Sequence, residues 1–357
     1  MSALIDASTA VRAGEELDVA RVDAFLREHI DGLDGAPAIS QFAGGASNLT
    51  YLVRYANRDL VLRRPPFGAH AKSAHNMLRE ARIMRALKPV YAHLPEVLAL
   101  GENTDVIGCE FYVMQRIVGI IARQDLPAEL GLDADATRTL CRNVIDRMIE
   151  LHAIDHRTEG LETIGRGEGY VARQIGGWSD RWRRARTDDV GDFEAVIAWL
   201  VARQPAGDVA TCVIHNDFRF DNVVLDPANP LEVIAVLDWE MATLGDPLMD
   251  LGSTLAYWVE AKDDAVFQRM RRQPTNAAGM FTRREVIEYY GTRTGLDVTS
   301  FDFYSIFGLF RLAAIAQQIY RRFRDGHAKN PQFAAFGDMV SYLEQRCLRL
   351  VAASDLS

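Results

Sequence analysis

Only four cysteines occur, Cys109, Cys141, Cys212 and Cys347, and no two of them form a C-x-x-C pair. Such spacing offers neither a zinc site nor a disulfide framework, and it suits reduced thiols in a cytoplasmic protein. No long basic run offsets the net charge of -9, which argues against a general nucleic-acid binder. No uncharged apolar stretch reaches membrane-spanning length, because Glu110 and Arg116 interrupt the nearest candidate, so no membrane span is expected. The opening Met1-Ser-Ala-Leu-Ile-Asp6 has no basic region followed by an apolar run, and no signal peptide is expected. Internal repeats and low-complexity segments are missing too. What is there is an ordinary globular composition, 48% hydrophobic and 25% charged over 357 residues, sufficient for two domains or one large two-lobed one.

The densest chemistry lies in Cys212-Val-Ile-His215-Asn-Asp217-Phe-Arg-Phe-Asp-Asn222, followed by Val236-Leu-Asp238-Trp-Glu240. A short apolar strand runs into a polar loop with Asp217 and, five residues on, Asn222. A second apolar strand ends in Asp238. Between them Asp226-Pro-Ala-Asn-Pro230 is dense in turn formers, so 223–225 and 233–237 read as a β-hairpin. The start of one hairpin strand lies beside the end of the other. Asn222 and Asp238 thus come side by side as two oxygen donors suited to Mg²⁺, with Asp217 one loop away. A base for an acceptor hydroxyl and two ligands for a nucleotide-bound metal make up a phosphoryl-transfer site.

The spacing H-x-D-x-x-x-x-N followed by a strand-end Asp resembles the catalytic and metal loops of protein kinases. Extended into Gly245-Asp-Pro-Leu-Met-Asp-Leu-Gly252, the string is similar to the aminoglycoside phosphotransferase family of that superfamily. The resemblance runs from the Gly-Gly turn near residue 44 to the helix near 325. It implies a protein-kinase-like bilobal α+β fold, with a β-rich nucleotide-binding N-lobe at 1–115 and a helical catalytic and acceptor-binding C-lobe at 116–357. It also implies ATP and Mg²⁺ as cofactors, Asp217 as the catalytic base, and Asn222 and Asp238 as metal ligands. His215 reads as a structural holder of the loop, and His152, on the apolar face of a helix at 140–152, as a core histidine. Asp246 and Pro247 suit a helix start. Asp250, one turn in, brings favourable charge there, and the resemblance adds support of the catalytic loop from below.

Val19, Val22, Leu26 and Ile30 share one helical face and predict an opening amphipathic helix. Next, Gly44-Gly45-Ala-Ser47-Asn48 joins two predicted strands; glycines let backbone N–H groups approach phosphate oxygens. The string resembles the phosphate-covering loop of the family. In the helix predicted at 76–87, Met77, Glu80, Met84 and Leu87 form one stripe, so Glu80 faces inward and needs a partner. Kinases supply a strand lysine; here the matching position is Arg63, in Leu62-Arg63-Arg64-Pro65-Pro66. The acyl-CoA-dehydrogenase-associated branch of the family has a similar string. Arginine keeps the charge but presents a fork, and Arg64 or Lys72 is the alternative cation. By position, the resemblance assigns adenine contacts to the Gln115 carbonyl and Ile117 N–H, with Met114 behind the base.

The acceptor is read from composition. Trp178, Trp182, Tyr257, Trp258, Arg311 and Tyr320 are aromatic or cationic, and Tyr257, Trp258 and Arg311 are the candidate acceptor residues. A polycationic antibiotic would meet Arg311 as a like charge, whereas a hydroxyacyl or other anionic metabolite would gain charge-assisted hydrogen bonds. The expected activity is γ-phosphoryl transfer from ATP to a hydroxyl of such a molecule. An aminoglycoside phosphotransferase and a catalytically silent nucleotide-binding scaffold are the alternatives. Acceptor identity, ATP against GTP, and oligomeric state stay open.

Overall fold

The computed structural model describes residues 4–42, 48–67, 76–328 and 330–356. Gly44, Gly45, Ser47 and the alternative cation Lys72 lie outside the described residues. The chain forms two compact units, one of residues 1–121, 159–161 and 222–242, the other of 122–158, 162–221 and 243–357. The chain passes from the second to the first between Asp221 and Asn222.

The first unit starts with β1 (Ser8–Thr9) and α1 (Val19–His29), which Asp18 caps by accepting from the N–H groups of Ala20 and Arg21. Then come β2 (Ala38–Phe42), β3 (Leu49–Arg54), β4 (Asp59–Arg64), α2 (Met77–Leu87), β5 (Val97–Gly101) and β6 (Phe111–Gln115). The strands pair antiparallel in the order β1-β2-β3-β4-β6-β5. Side chains alternate across a strand, and β4 uses both faces. Leu60 and Leu62 join Val22, Leu26, Tyr51, Phe111 and Val113 in one apolar cluster with α1. Val61 and Arg63 therefore point to the opposite face, as does Tyr112, the partner of Arg63 across β6.

The second unit contributes α3 (Ala134–His152), α4 (Tyr170–Ala185), α5 (Glu194–Arg203) and β7 (Cys212–Ile214). The hairpin β8 (Val223–Leu225) and β9 (Val233–Val236) follows and packs with the first unit. There Ile120 exchanges both backbone hydrogen bonds with Leu225. Gly119 permits this approach, since a Cβ there would lie 2.4 Å from Val224 and 2.6 Å from the Leu225 carbonyl oxygen. Back in the second unit, β10 (Thr243–Gly245) pairs with β7. The remaining helices are α6 (Pro247–Ala256), α7 (Ala265–Arg269), α8 (Arg283–Thr294), α9 (Asp302–Arg324) and α10 (Phe336–Ala353). In α4 the buried stripe Tyr170, Ile175, Trp178 and Trp182 faces inward, leaving Arg183 and Arg184 in solvent. No helix among the described residues is long and apolar enough to cross a membrane.

Helix α9 crosses α6 at bare backbone. A Cβ on Gly308 would sit 2.1 Å from the Gly252 carbonyl oxygen, and one on Gly252 would sit 2.4 Å from that of Tyr304. Backbone cannot swing aside as a flexible side chain can. Gly308→Val should therefore push α6 and α9 apart and cost at least the roughly 1–3 kcal/mol of an overpacked core. Urea denaturation would read this as a lowered midpoint; an unchanged midpoint would mean that the crossing is loose.

Candidate active site

In the first unit a charged cluster forms where α2 meets the end of the hairpin. Asn76 caps α2 by accepting from the Arg79 N–H, and the helix stripe turns Glu80 inward until it is fully buried. Arg63, sent to the same face by β4, places Nη1 2.7 Å from Glu80 Oε1 and Nη2 2.9 Å from Asp238 Oδ1. One guanidinium thus holds two carboxylates, in the fork geometry that arginine alone provides. Burial by itself disfavours the guanidinium charge, but Glu80 and Asp238 outweigh it and raise the Arg63 pKa well above the usual arginine value. Glu80 also accepts from the Trp239 N–H at 3.2 Å. Arg64, by contrast, stacks on Phe67 with its guanidinium 3.6 Å from the ring centre.

Asp238 sits in the left-handed region at φ 66, a conformation that Asp tolerates better than most residues. It follows β9, and the Leu237 N–H donates to the Asn222 carbonyl at 2.8 Å, so the hairpin brings Asn222 and Asp238 to one end. Asn222 is buried, while the Asp238 side chain is 32% exposed. The turn after Asp238 is tied down further. Asn48 donates to Glu240 Oε2 at 2.6 Å, and Arg79 donates to the carbonyls of Glu240 and Ala242 at 3.1 and 2.7 Å. Arg79 and Glu240 escaped the sequence reading; the only signal was that Arg79 adjoins Glu80. In β6, Met114 is buried and Gln115 exposed, with Ile117 partly buried in the segment that follows.

In the second unit Asp246 caps α6, accepting from Leu248 and Met249, and Pro247 takes the first turn. Asp250 is then fully buried one turn in. Its Oδ2 accepts the His215 N–H and its Oδ1 the Asn216 N–H, both at 2.8 Å. His152 Nε2 lies 3.1 Å from the same carboxylate, and His152 Nδ1 is 2.6 Å from the Tyr290 hydroxyl. A carboxylate accepts, so Nε2 carries the proton and Tyr290 donates to Nδ1. Burial pushes the Asp250 carboxyl up, and the bonds from His152 and the loop overcompensate, leaving its pKa below the ordinary value. His215 Nδ1 in turn accepts the Asp217 N–H at 3.2 Å.

Asp217 has a cationic neighbour that the sequence reading missed. Arg219 Nε is 3.3 Å from Oδ1 of both Asp217 and Asp221, and its Nη2 donates to Asp217 Oδ2 at 3.3 Å. The guanidinium lies 4.8 Å from the centre of the Tyr257 ring. Burial, followed by the charge of Asp217, raises the Tyr257 pKa. An arginine two residues after a suspected base was the available signal.

Two of the three acceptor candidates are buried side chains whose polar ends meet backbone carbonyls. Trp258 is a core side chain, 1% exposed, with its indole N–H donated to the Phe281 carbonyl at 2.8 Å. Arg311 is 5% exposed and donates to the Asn216 carbonyl at 2.9 Å, with Trp178 5.3 Å away across the ring face. Its charge is spent on a backbone oxygen of the loop. Of the other aromatics, Trp182 donates to the Asp192 carbonyl and Tyr320 to Asp189. Aromatic and cationic composition does not tell a pocket wall from a core whose polar tips find backbone partners.

The chain resembles known proteins in sequence and fold. The model of the phosphotransferase enzyme family matches residues 38–288. Acyl-CoA dehydrogenase family member 10 of Mus musculus is 35% identical over 327 residues, 90% of this chain and 30% of that protein. The chain thus spans about a third of that relative's length. Among solved structures, a putative aminoglycoside phosphotransferase from Ralstonia eutropha is 28% identical, with a TM-score of 0.81 over 95% of this chain and 100% of that one. Choline kinase from Cryptosporidium parvum shares the fold at 12% identity, with a TM-score of 0.64 over 94% of this chain and 96% of its own. A kinase-like α+β fold carrying this family's sequence pattern leaves one assignment: the chain belongs to the phosphotransferase enzyme family.

Proposed function

We propose that the protein moves the γ-phosphoryl group of ATP, with Mg²⁺, to a hydroxyl of an anionic small molecule, a hydroxyacyl compound being the leading class. Asp217 would orient the hydroxyl and accept its proton. Asn222 and Asp238, a carboxamide and a carboxylate oxygen, suit a hard cation and would hold Mg²⁺. The metal, when bound, supplies charge neutralisation between the phosphates. Arg63, paired with Glu80, would steady the nucleotide; its Nε makes no hydrogen bond among the described residues and is a donor left over. Gly44, Gly45, Ser47 and Asn48 would cover the phosphates, and Met114, Gln115 and Ile117 would receive the adenine. Residues 1–115 would form the nucleotide-binding lobe, joined by the hairpin that packs with it, and 116–357 the catalytic and acceptor lobe. Cytoplasmic residence is part of the proposal and accords with the free thiols.

The observation that carries the acceptor class is Arg219. It is the cation beside Asp217, so a polycationic antibiotic would meet a like charge there and an anionic acceptor a partner. Tyr257 keeps its place as a candidate acceptor wall under that guanidinium. The name of the Ralstonia relative keeps an aminoglycoside acceptor as the second reading. A silent scaffold is disfavoured by the intact set of Asp217, Asn222 and Asp238.

Three outcomes follow. Asp217→Asn should keep MgATP affinity and lower turnover by on the order of 10²–10⁴, while Asp238→Ala should weaken Mg²⁺-dependent nucleotide binding itself. Near-full turnover by Asp217→Asn on a confirmed acceptor would remove it as the base.

In the charged cluster, Glu80→Ala leaves Arg63 with Asp238 alone, whereas Arg63→Met strands two carboxylates. Both should weaken ATP binding and lower stability, the second by more, within the roughly 3–5 kcal/mol range of a broken buried pair. Arg63→Lys should keep part of the function, since the charge survives without the fork. Equal losses for Glu80→Ala and Arg63→Met in urea denaturation would show that the bridge to Asp238 carries no stability.

Side-by-side kinetics with a hydroxyacyl-CoA series and with kanamycin should give turnover only of the former, and Arg219→Ala should raise its KM. Efficient kanamycin phosphorylation with no hydroxyacyl turnover would reverse the acceptor assignment and leave the phosphoryl-transfer site standing.

A further inference from the structure

Asn216, the residue immediately before the proposed base, is held at its N–H, its carbonyl and its side-chain oxygen by side chains far away in sequence. Its N–H goes to Asp250, its carbonyl accepts from Arg311 at 2.9 Å, and its Oδ1 accepts from the buried Tyr170 hydroxyl at 3.0 Å. It also sits in the left-handed region, at φ 64. Asn tolerates that region better than most residues, and the three bonds fix it there. Arg311 comes from α9 and Tyr170 from the first turn of α4. Trp178, two turns along α4, lies under the Arg311 guanidinium and carries Arg181 4.6 Å from its ring centre. A buried arginine charge donated to one peptide carbonyl is costly when a neutral donor would satisfy that oxygen.

We propose that Arg311, with Tyr170 and seated on Trp178, is a positioning residue that sets the peptide plane between Asn216 and Asp217 and so aims the Asp217 carboxylate. The flat guanidinium reaches the carbonyl while stacking on the indole, which a lysine ammonium cannot reproduce in the same geometry. Rotating that peptide would carry the base off line, and a displacement of about 1 Å costs on the order of 10² in rate. The acceptor does not meet Arg311. This inference rests on Asp217 acting as the base, and not on which acceptor is used.

The test is steady-state kinetics of the full chain with ATP and a hydroxyacyl-CoA, run in parallel with ATP hydrolysis in which water is the acceptor. MgATP affinity is measured separately by nucleotide titration. Arg311→Gln and Tyr170→Phe should each lower kcat, the former by on the order of 10²-fold, leaving acceptor KM and MgATP affinity unchanged. Arg311→Lys should fall in between. Asn216→Gly, which adopts the left-handed conformation freely, should be impaired less than Asn216→Ala. If Arg311→Gln does not fold, Tyr170→Phe and the Asn216 pair decide the matter. A raised acceptor KM at unchanged kcat would return Arg311 to the acceptor and overturn the proposal, and so would unchanged kcat in Tyr170→Phe with equal activity in the two Asn216 variants. Should no hydroxyacyl-CoA be turned over, the acceptor reading falls, and the same pattern in the water reaction still decides the role of Arg311.

Discussion

One guanidinium answering two carboxylates organises the first unit. Arg63 bonds Glu80 and Asp238 at 2.7 and 2.9 Å, and neither of the two buried charges, Arg63 or Glu80, is tolerable there alone. Strand β4, helix α2 and the turn after β9 must therefore arrive together or not at all. The apolar cluster on the other face of the sheet supplies the burial that makes this demand strict. Arg79 and Asn48 then fasten the chain beyond Asp238, so the metal-ligand candidate has a fixed turn on its C-terminal side and a paired strand on its N-terminal side.

The second unit solves a matching problem with a carboxylate. Asp250 is fully buried, and its charge is compensated by His152 and by two loop N–H groups. Position helps as well: the first turn of α6 is the positive end of the helix dipole. The loop carrying Asp217 is thus hung from a helix start rather than left to its own turn propensities. Hydrogen bonds to a charged acceptor are among the stronger kind available, and they hold this loop at two consecutive N–H groups.

Much of this was legible before any coordinates, for physical reasons. Glu80 announced its burial because a carboxylate in an apolar helical stripe has to find a cation, and β4 supplied the nearest suitable one. The hairpin that joins Asn222 to Asp238 could be read from Asp226, Pro227 and Pro230 between two apolar runs. Asp246 and Pro247 marked the start of α6 from local chemistry alone. What could not be read were contacts between distant parts of the chain that obey no period. Arg311 meets Asn216 across 95 residues, and Trp258 donates to Phe281 within the core. Composition showed that these side chains were amphipathic, and it could not say which partner their polar ends would take. Arg79 was hidden for a related reason: its partners are backbone carbonyls, which leave no trace in side-chain pattern.

Three described non-glycine residues have left-handed backbone, Phe193, Asn216 and Asp238, and comparing them shows what such strain can and cannot mean. Phe193 is held by packing: its ring lies 4.4 Å from that of Trp182, and its N–H donates to Glu344 at 2.8 Å. Its contacts are core rings and one capping carboxylate, so a positive φ alone marks no site. Asn216 and Asp238 differ in being held by buried ions: Asn216 by Asp250 and Arg311, Asp238 by Arg63 and, through the Trp239 N–H, by Glu80. Both are residue types that tolerate the conformation, so the cost is modest and the gain is a fixed direction for the next bond. In each case a buried ion sets a peptide that an ordinary turn would have left free to rotate. That shared device, and not the strain itself, separates the loop of Asp217 and the turn of Asp238 from the bend at Phe193.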